Sequence, residues 1–164
     1  MEVIDDKLQL SAAPLAAEYV STVSAILCSM DPWLTLEYTP EAFESYLLRA
    51  GPGLNHYAVM LAKEVAGVFS LRHPWLFGPF IELMALFDGY RCRGIGRRII
   101  DWACDRYESP NLWATVSSFN LRAQKFYSAN GFEQTAILRD LIKPGWNEIL
   151  IRKRAGQRVR PRKR

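Results

Sequence analysis

Residues 91–96, Arg-Cys-Arg-Gly-Ile-Gly, stand between a run of β-type residues and a run with helical spacing, and no other feature narrows the folds open to this chain as much. Glycines at such a junction let the backbone bend tightly and come close to a ligand. The first amides of the following helix lack partners within the helix and point outward, so a turn of this kind can cradle a phosphate. Taken alone, the same residues also fit a plain steric turn, because glycine is common enough for such a pair to arise by chance.

The surroundings give the turn a context. Residues 80–87 read as a strand, and residues 94–107 place Ile95, Ile99, Trp102, Ala103 and Tyr107 on or near one helical face. Residues 112–116 then read as a buried strand and residues 120–130 as a helix closed near Gly131. Strand, helix and strand in this order imply a parallel pair.

Upstream, residues 7–12 are a candidate strand, followed by a helix from about 16 to 30 that Asp31 and Pro32 stop. A second helix has Thr39 as its cap, Pro40 at its first position and Gly51 at its end. Residues 56–61 and 65–71 predict a hairpin turning at Lys63 and Glu64, and a loop with His73, Pro74, Gly78 and Pro79 leads into 80–87. Two last β-type stretches, 132–142 and 148–152, flank a turn at Lys143, Pro144 and Gly145. The class is α+β, with helices on both faces of one sheet.

The 164-residue length fits one domain, assigned to residues 1–151, with a flexible basic tail at 152–164. Eight of the 21 basic residues and none of the 17 acids fall in that tail, so the body is mildly acidic despite the net charge of +4. The N-terminus lacks the basic start and apolar middle of a secretory signal, and no apolar run reaches the ~20 residues of a membrane span. A cytoplasmic protein without membrane contact is the expectation. Three cysteines at unrelated spacings suit reduced thiols, and two histidines far apart in sequence predict no metal.

Two motifs together resemble one family. Arg91-x-x-Gly94-x-Gly96 matches the acyl-CoA pyrophosphate loop of the GCN5-related N-acetyltransferases (GNAT), written Gln or Arg, x, x, Gly, x, Gly or Ala. Asn120-x-x-Ala123-x-x-Phe126-Tyr127-x-x-x-Gly131-Phe132 resembles the family's second signature. The likeness is strongest over residues 80–132 and weakest over 1–55, where that family builds its acceptor site. It implies a GNAT fold: a mixed, mostly antiparallel sheet of about six to seven strands, a splayed parallel pair in its middle, and about four flanking helices.

The resemblance also implies roles. The chain is expected to use acetyl-CoA to acetylate a primary amine of a small molecule or peptide, by direct attack in a ternary complex. Backbone amides of Cys92, Arg93, Gly94, Ile95, Gly96 and Arg97 would bind the CoA pyrophosphate, with Arg91 opening the motif and the helix dipole assisting. Met84, Ala85 and Leu86 align with the strand that pairs with the pantetheine arm. Tyr127 aligns with the general acid for the departing thiolate; without the motif it reads as core. Asn120 is both a cofactor contact and a helix cap, and Phe126 packs near the cofactor.

An alkylamine of pKa ~10 must lose a proton before it attacks. Glu82, the one carboxylate in its strand, is a candidate base if strand alternation turns it to the cleft, with Asp88 and an ordered water as rivals. The branch that acetylates ribosomal protein N-termini carries a glutamate where this chain has Thr115, which argues against that mechanism.

The acceptor-side segments, 31–38 and 73–80, hold Trp33, Leu34, Leu36, Tyr38, Trp75, Leu76, Phe77 and Phe80. They favour a small amine with an apolar part, or a peptide end, over a polycation. Two other classes stay open: a module that binds acyl-CoA without turning it over, and a tail that contacts nucleic acid or an acidic partner, against which a tail without a partner is preferred. Many members of the family pair their subunits, and residues 148–152 offer a surface for a homodimer; dimer and monomer are both compatible with the sequence.

Overall fold

The computed structural model describes residues 1–107 and 109–154. The chain runs β1 (Glu2–Asp5), β2 (Leu10–Pro14), α1 (Ala17–Cys28), α2 (Pro40–Leu47), β3 (Leu54–Leu61), β4 (Glu64–Trp75), β5 (Gly78–Leu86), α3 (Ile95–Tyr107), β6 (Asn111–Ser117), α4 (Leu121–Ala129), β7 (Phe132–Lys143) and β8 (Trp146–Arg154). All eight strands form one sheet in the order β1-β2-β3-β4-β5-β6-β8-β7. Neighbouring strands are antiparallel except β5 and β6.

The sheet buries a different set of side chains on each face. Val68, Leu83, Ala85 and Phe87 pack beneath Val20, Val23 and Leu27 of α1 and Phe43 and Leu47 of α2. On the opposite face, Phe69, Leu71, Ile81, Leu112, Ala114 and Val116 meet Ile95, Ile99, Ile100 and Ala103 of α3 and Tyr127 of α4. Strand alternation supplies the two surfaces and helical periodicity covers them, giving three layers.

Local chemistry sets the helix starts. The Thr39 hydroxyl accepts from Ala42 N at 3.2 Å and Pro40 occupies the first turn of α2. Asn120 caps α4 by accepting from Ala123 N at 3.0 Å. Among the described residues, no helix is long and apolar enough to cross a membrane.

Four departures from the sequence reading have physical causes. The expected strand at 7–12 is shifted to Leu10–Pro14 by a turn at residues 6–9, where Gln9 has φ 52° and Leu8 N donates to Asp5 Oδ1. The acidic residues before that turn form β1, bound to α3 through the Glu2–Arg106 and Asp5–Arg98 ion pairs, so the sheet has one strand more than the upper expectation. The expected loop at 73–79 is strand through Trp75, with a tight turn at Leu76 and Phe77. Finally, β8 extends through Arg154, past the expected boundary at 151, because Arg152 and Lys153 pair with Trp113 and Leu112 of β6. The remainder of the proposed tail, 155–164, lies outside the described residues.

Candidate active site

The parallel pair is joined at two positions only, Phe80 with Trp113 and Ile81 with Ala114. The cause lies in β5. Ser70 and Leu71 are consecutive on β4 but face Leu83 and Ile81 on β5, so Glu82 is an extra residue, a β-bulge. A bulge bends its strand and increases local twist. Beyond it β5 leaves β6, and the sheet opens into a cleft.

The free edge of β5 presents backbone groups to that cleft. Phe87 N donates to Ala66 O, and in an antiparallel ladder alternate residues face opposite ways. Ala85 therefore turns its backbone groups to β4, while Met84 and Leu86 turn theirs to the gap. Ala85 thus drops out as an edge contact, and its side chain belongs to the core beneath α1 and α2. Arg91 Nε donates to Leu86 O at 2.8 Å and Arg91 also pairs with Asp88, so this arginine fastens the following loop to the strand end.

That loop leads directly into α3. Cys92 and Gly94 adopt positive φ, 61° and 76°, curling the chain so that α3 begins at Ile95. The first backbone bond of the helix is Arg98 N to Gly94 O. The amides of Ile95, Gly96 and Arg97 precede it and have no acceptor within the helix. No acidic residue occupies the first turn, so the dipole's positive end is unopposed there. Exposed Arg93 and Arg97 flank this cradle, whereas Arg98 is committed to Asp5.

The second motif lies against the first. β6 ends at Ser117 and α4 starts after the Asn120 cap, at the same end of the parallel pair as the loop. The Phe126 ring rests on Gly96, and Arg122 reaches the Cys92 sulfur at 3.8 Å. Tyr127 is 8% exposed, packed between Phe126 and Phe132, and burial holds its phenol well above the ordinary tyrosine range. Asn120 spends its carbonyl on the cap and keeps its NH2 for another partner.

The face of the sheet beneath α1 and α2 carries the candidate base. Glu82 accepts from Tyr46 at 3.0 Å and forms an ion pair with Arg72. His56 lies beside them, its ring edge-on to Tyr46 and its Nδ1 2.7 Å from the Ser70 hydroxyl; burial lowers its pKa and favours the neutral ring. Asp88 is exposed and tied to Arg91 at the loop, outside the cleft. Sequence reasoning missed Tyr46, His56 and Arg72 as partners of Glu82, because the contact joins three strands and a helix.

It also missed Glu148. This residue of β8 pairs with Ser117 at the cleft end of β6, is 3% exposed, and its Oε1 is a fully buried oxygen without a hydrogen-bond partner among the described residues. Burial pushes its carboxyl up, an effect that the Ser117 hydroxyl partly offsets.

The sequence model of the acetyltransferase (GNAT) family matches residues 21–132, from α1 through both motifs. This chain is a member of the GNAT family. Among curated proteins, none matches the sequence. Solved structures share the fold of this GNAT chain. An acetyltransferase from Thermus thermophilus is 18% identical, with a TM-score of 0.71 over 90% of this chain and 97% of its own. A chimeric spermidine N-acetyltransferase built from Vibrio cholerae SpeG and hSSAT is 13% identical, with a TM-score of 0.69 over 89% and 95%. A Bacillus anthracis structure described as a streptothricin acetyltransferase, in complex with acetyl coenzyme A, is 22% identical, with a TM-score of 0.55 over 63% and 64%.

Proposed function

We propose that this GNAT protein is an acetyl-CoA-dependent N-acetyltransferase acting on a primary amine of a small molecule or peptide in a ternary complex. The observation that carries the reading is the open cradle: three amides without acceptors within their helix, beside a strand edge that has no partner among the described residues. The parts fit an acyl-CoA. Amides of residues 95–97, with Cys92, Arg93 and Gly94 shaping the loop, suit a pyrophosphate, and the Met84 and Leu86 edge suits an amide-bearing arm.

When bound, acetyl-CoA supplies the acetyl thioester and leaves as the thiol. The protein's part is to place and move protons. Burial keeps Tyr127 protonated without making it a stronger acid, and its role is to donate its hydroxyl proton to the sulfur as negative charge builds there. Glu82 takes the proton released by the attacking amine through an intervening water. Arg72 and Tyr46 fix that carboxylate in place, and the neutral His56 ring beside Tyr46 stabilises the group's geometry.

Melting temperature with acetyl-CoA tests the cradle, since a ligand at a hundred times its Kd adds ~2.7 kcal/mol to the native state. An amine panel with Tyr127→Phe as control then tests transfer. A melting shift with no acetyl transfer to any amine supports a non-catalytic acyl-CoA module instead; no shift at saturating acetyl-CoA or CoA removes the reading.

A further inference from the structure

We propose that Glu148 is the carboxylate that receives the acceptor's ammonium group, and that the acceptor is a monocationic amine with an aromatic or apolar body. This rests on the acetyltransferase reading above and names the substrate class for its site.

Leu112, Ala114 and Val116 of β6 face α3, so alternation turns Trp113, Thr115 and Ser117 to the other side. In β8, Ile149 and Ile151 pack with that α3 core, so Trp146, Glu148 and Leu150 share the side of Ser117. Among the described residues, the core beneath α1 and α2 draws on β4 and β5, with His56 of β3 against Tyr46, and on no residue of β6 or β8. Glu148 therefore sits one strand away from the opening between β5 and β6, across β6 from it, on the sheet face opposite α3.

Next comes charge. Asp31 accepts from the Thr35 amide and hydroxyl, Glu37 pairs with Lys143 at 2.7 Å, and Glu82 pairs with Arg72. Glu148 alone of these carboxylates has a buried oxygen with no partner. A buried polar atom left unpaired costs free energy, and its persistence at an active-site mouth fits a group whose partner is the substrate.

Last comes the wall. Tyr38, on the segment between α1 and α2, lies near enough for the Glu148 charge to act on its phenol. Two residues before Glu148 on the same face of β8, the Trp146 ring meets Phe119 edge-on with centroids 4.8 Å apart, and Trp146 stays partly open to solvent. One uncompensated carboxylate among aromatic rings suits one ammonium with an apolar body attached. It does not suit a polyamine, whose further charges would lack partners.

Calorimetric titration of the protein with CoA bound, using 2-phenylethylamine, 2-phenylethanol and spermidine, tests this. The amine should bind wild type and the neutral alcohol should not. Glu148→Gln should weaken the amine roughly tenfold or more, the scale of one lost charge-assisted bond, while acetyl-CoA affinity stays within about twofold. Glu148→Asp, which keeps the charge, should recover part of the loss. The Gln variant should also melt no lower than wild type, because a merely structural carboxylate would be missed and an unpaired one would not. Equal amine affinity in wild type and Gln variant, tighter binding of spermidine, a lower-melting Gln variant, or no amine binding beside intact acetyl-CoA binding each overturns the proposal alone. Failure to bind acetyl-CoA overturns the enzymatic reading with it.

Discussion

A Cβ built on Gly96 would lie 2.9 Å from Cζ of Phe126, so the first turn of α3 and the middle of α4 are in contact through a position with no room for a side chain. The two sequence motifs are thereby one physical unit. The helix whose first amides have no acceptor within it is braced by the residue next to Tyr127.

Gly96→Ala should push these helices apart. Overpacking of this kind costs about 1–3 kcal/mol, and the displaced amides should bind acetyl-CoA more weakly. Pairing the change with Phe126→Leu should restore much of the stability. Thermal melts of the single and double variants, with and without acetyl-CoA, check both points.

Tyr127→Phe should separate stability from turnover. The ring supplies the packing against Phe126 and Phe132 and the substitution keeps it, so the melting temperature should move little. Loss of a proton donor should lower kcat roughly a hundredfold or more. A similar drop in both, measured by melting and by steady-state kinetics, would make the residue structural.

The Glu148 carboxyl fixes the sign of a pH effect. Its folded pKa is raised above the ordinary 4.5, first by burial, while Ser117 lowers it in part; the Tyr38 phenol, itself pushed up mainly by burial, stays neutral. Below the ordinary value both folded and unfolded chains hold the proton, and the group does not affect stability. As pH rises through that value and then through the folded one, the unfolded chain ionises more readily, and native stability falls by a fixed amount. Glu148→Gln lacks this loss. The difference in urea midpoint between variant and wild type should therefore grow from acid to neutral pH and then level off.

Thiol reagents should find Cys92 first. It is exposed on the loop, whereas Cys28 and Cys104 are partly covered and burial raises both thiols, Cys104 to about 11. Mass spectrometry after brief alkylation should show single labelling at Cys92, slowed by saturating CoA.

What was legible in the sequence was local. Thr39-Pro40, the 91–96 loop and the Asn120 cap act within a turn or two of themselves, so spacing alone reveals them. The meander and the parallel unit follow from period and punctuation. The strand β1 was hidden because its acidic residues look like a solvated leader until Arg98 and Arg106 of α3 are seen beside them. Glu82 could be named but not understood, since a bulge is a property of two strands in register. Glu148 was invisible because alternation within β8 gives no sign that the strand is covered where it pairs with Ser117, leaving a carboxylate oxygen buried.

The bulge at Glu82 leaves the sheet with only two rungs between its halves, β1–β5 and β6–β8. A strand edge left bare inside a fold is normally a defect that attracts foreign chains. Under the function proposed above, it would be an unfinished stretch of the secondary structure itself, which a cofactor arm completes as though it were a ninth, non-peptide strand. On the proposed reading, the molecule would reach its full set of backbone bonds only when loaded, so folding and recognition would share one incomplete ladder.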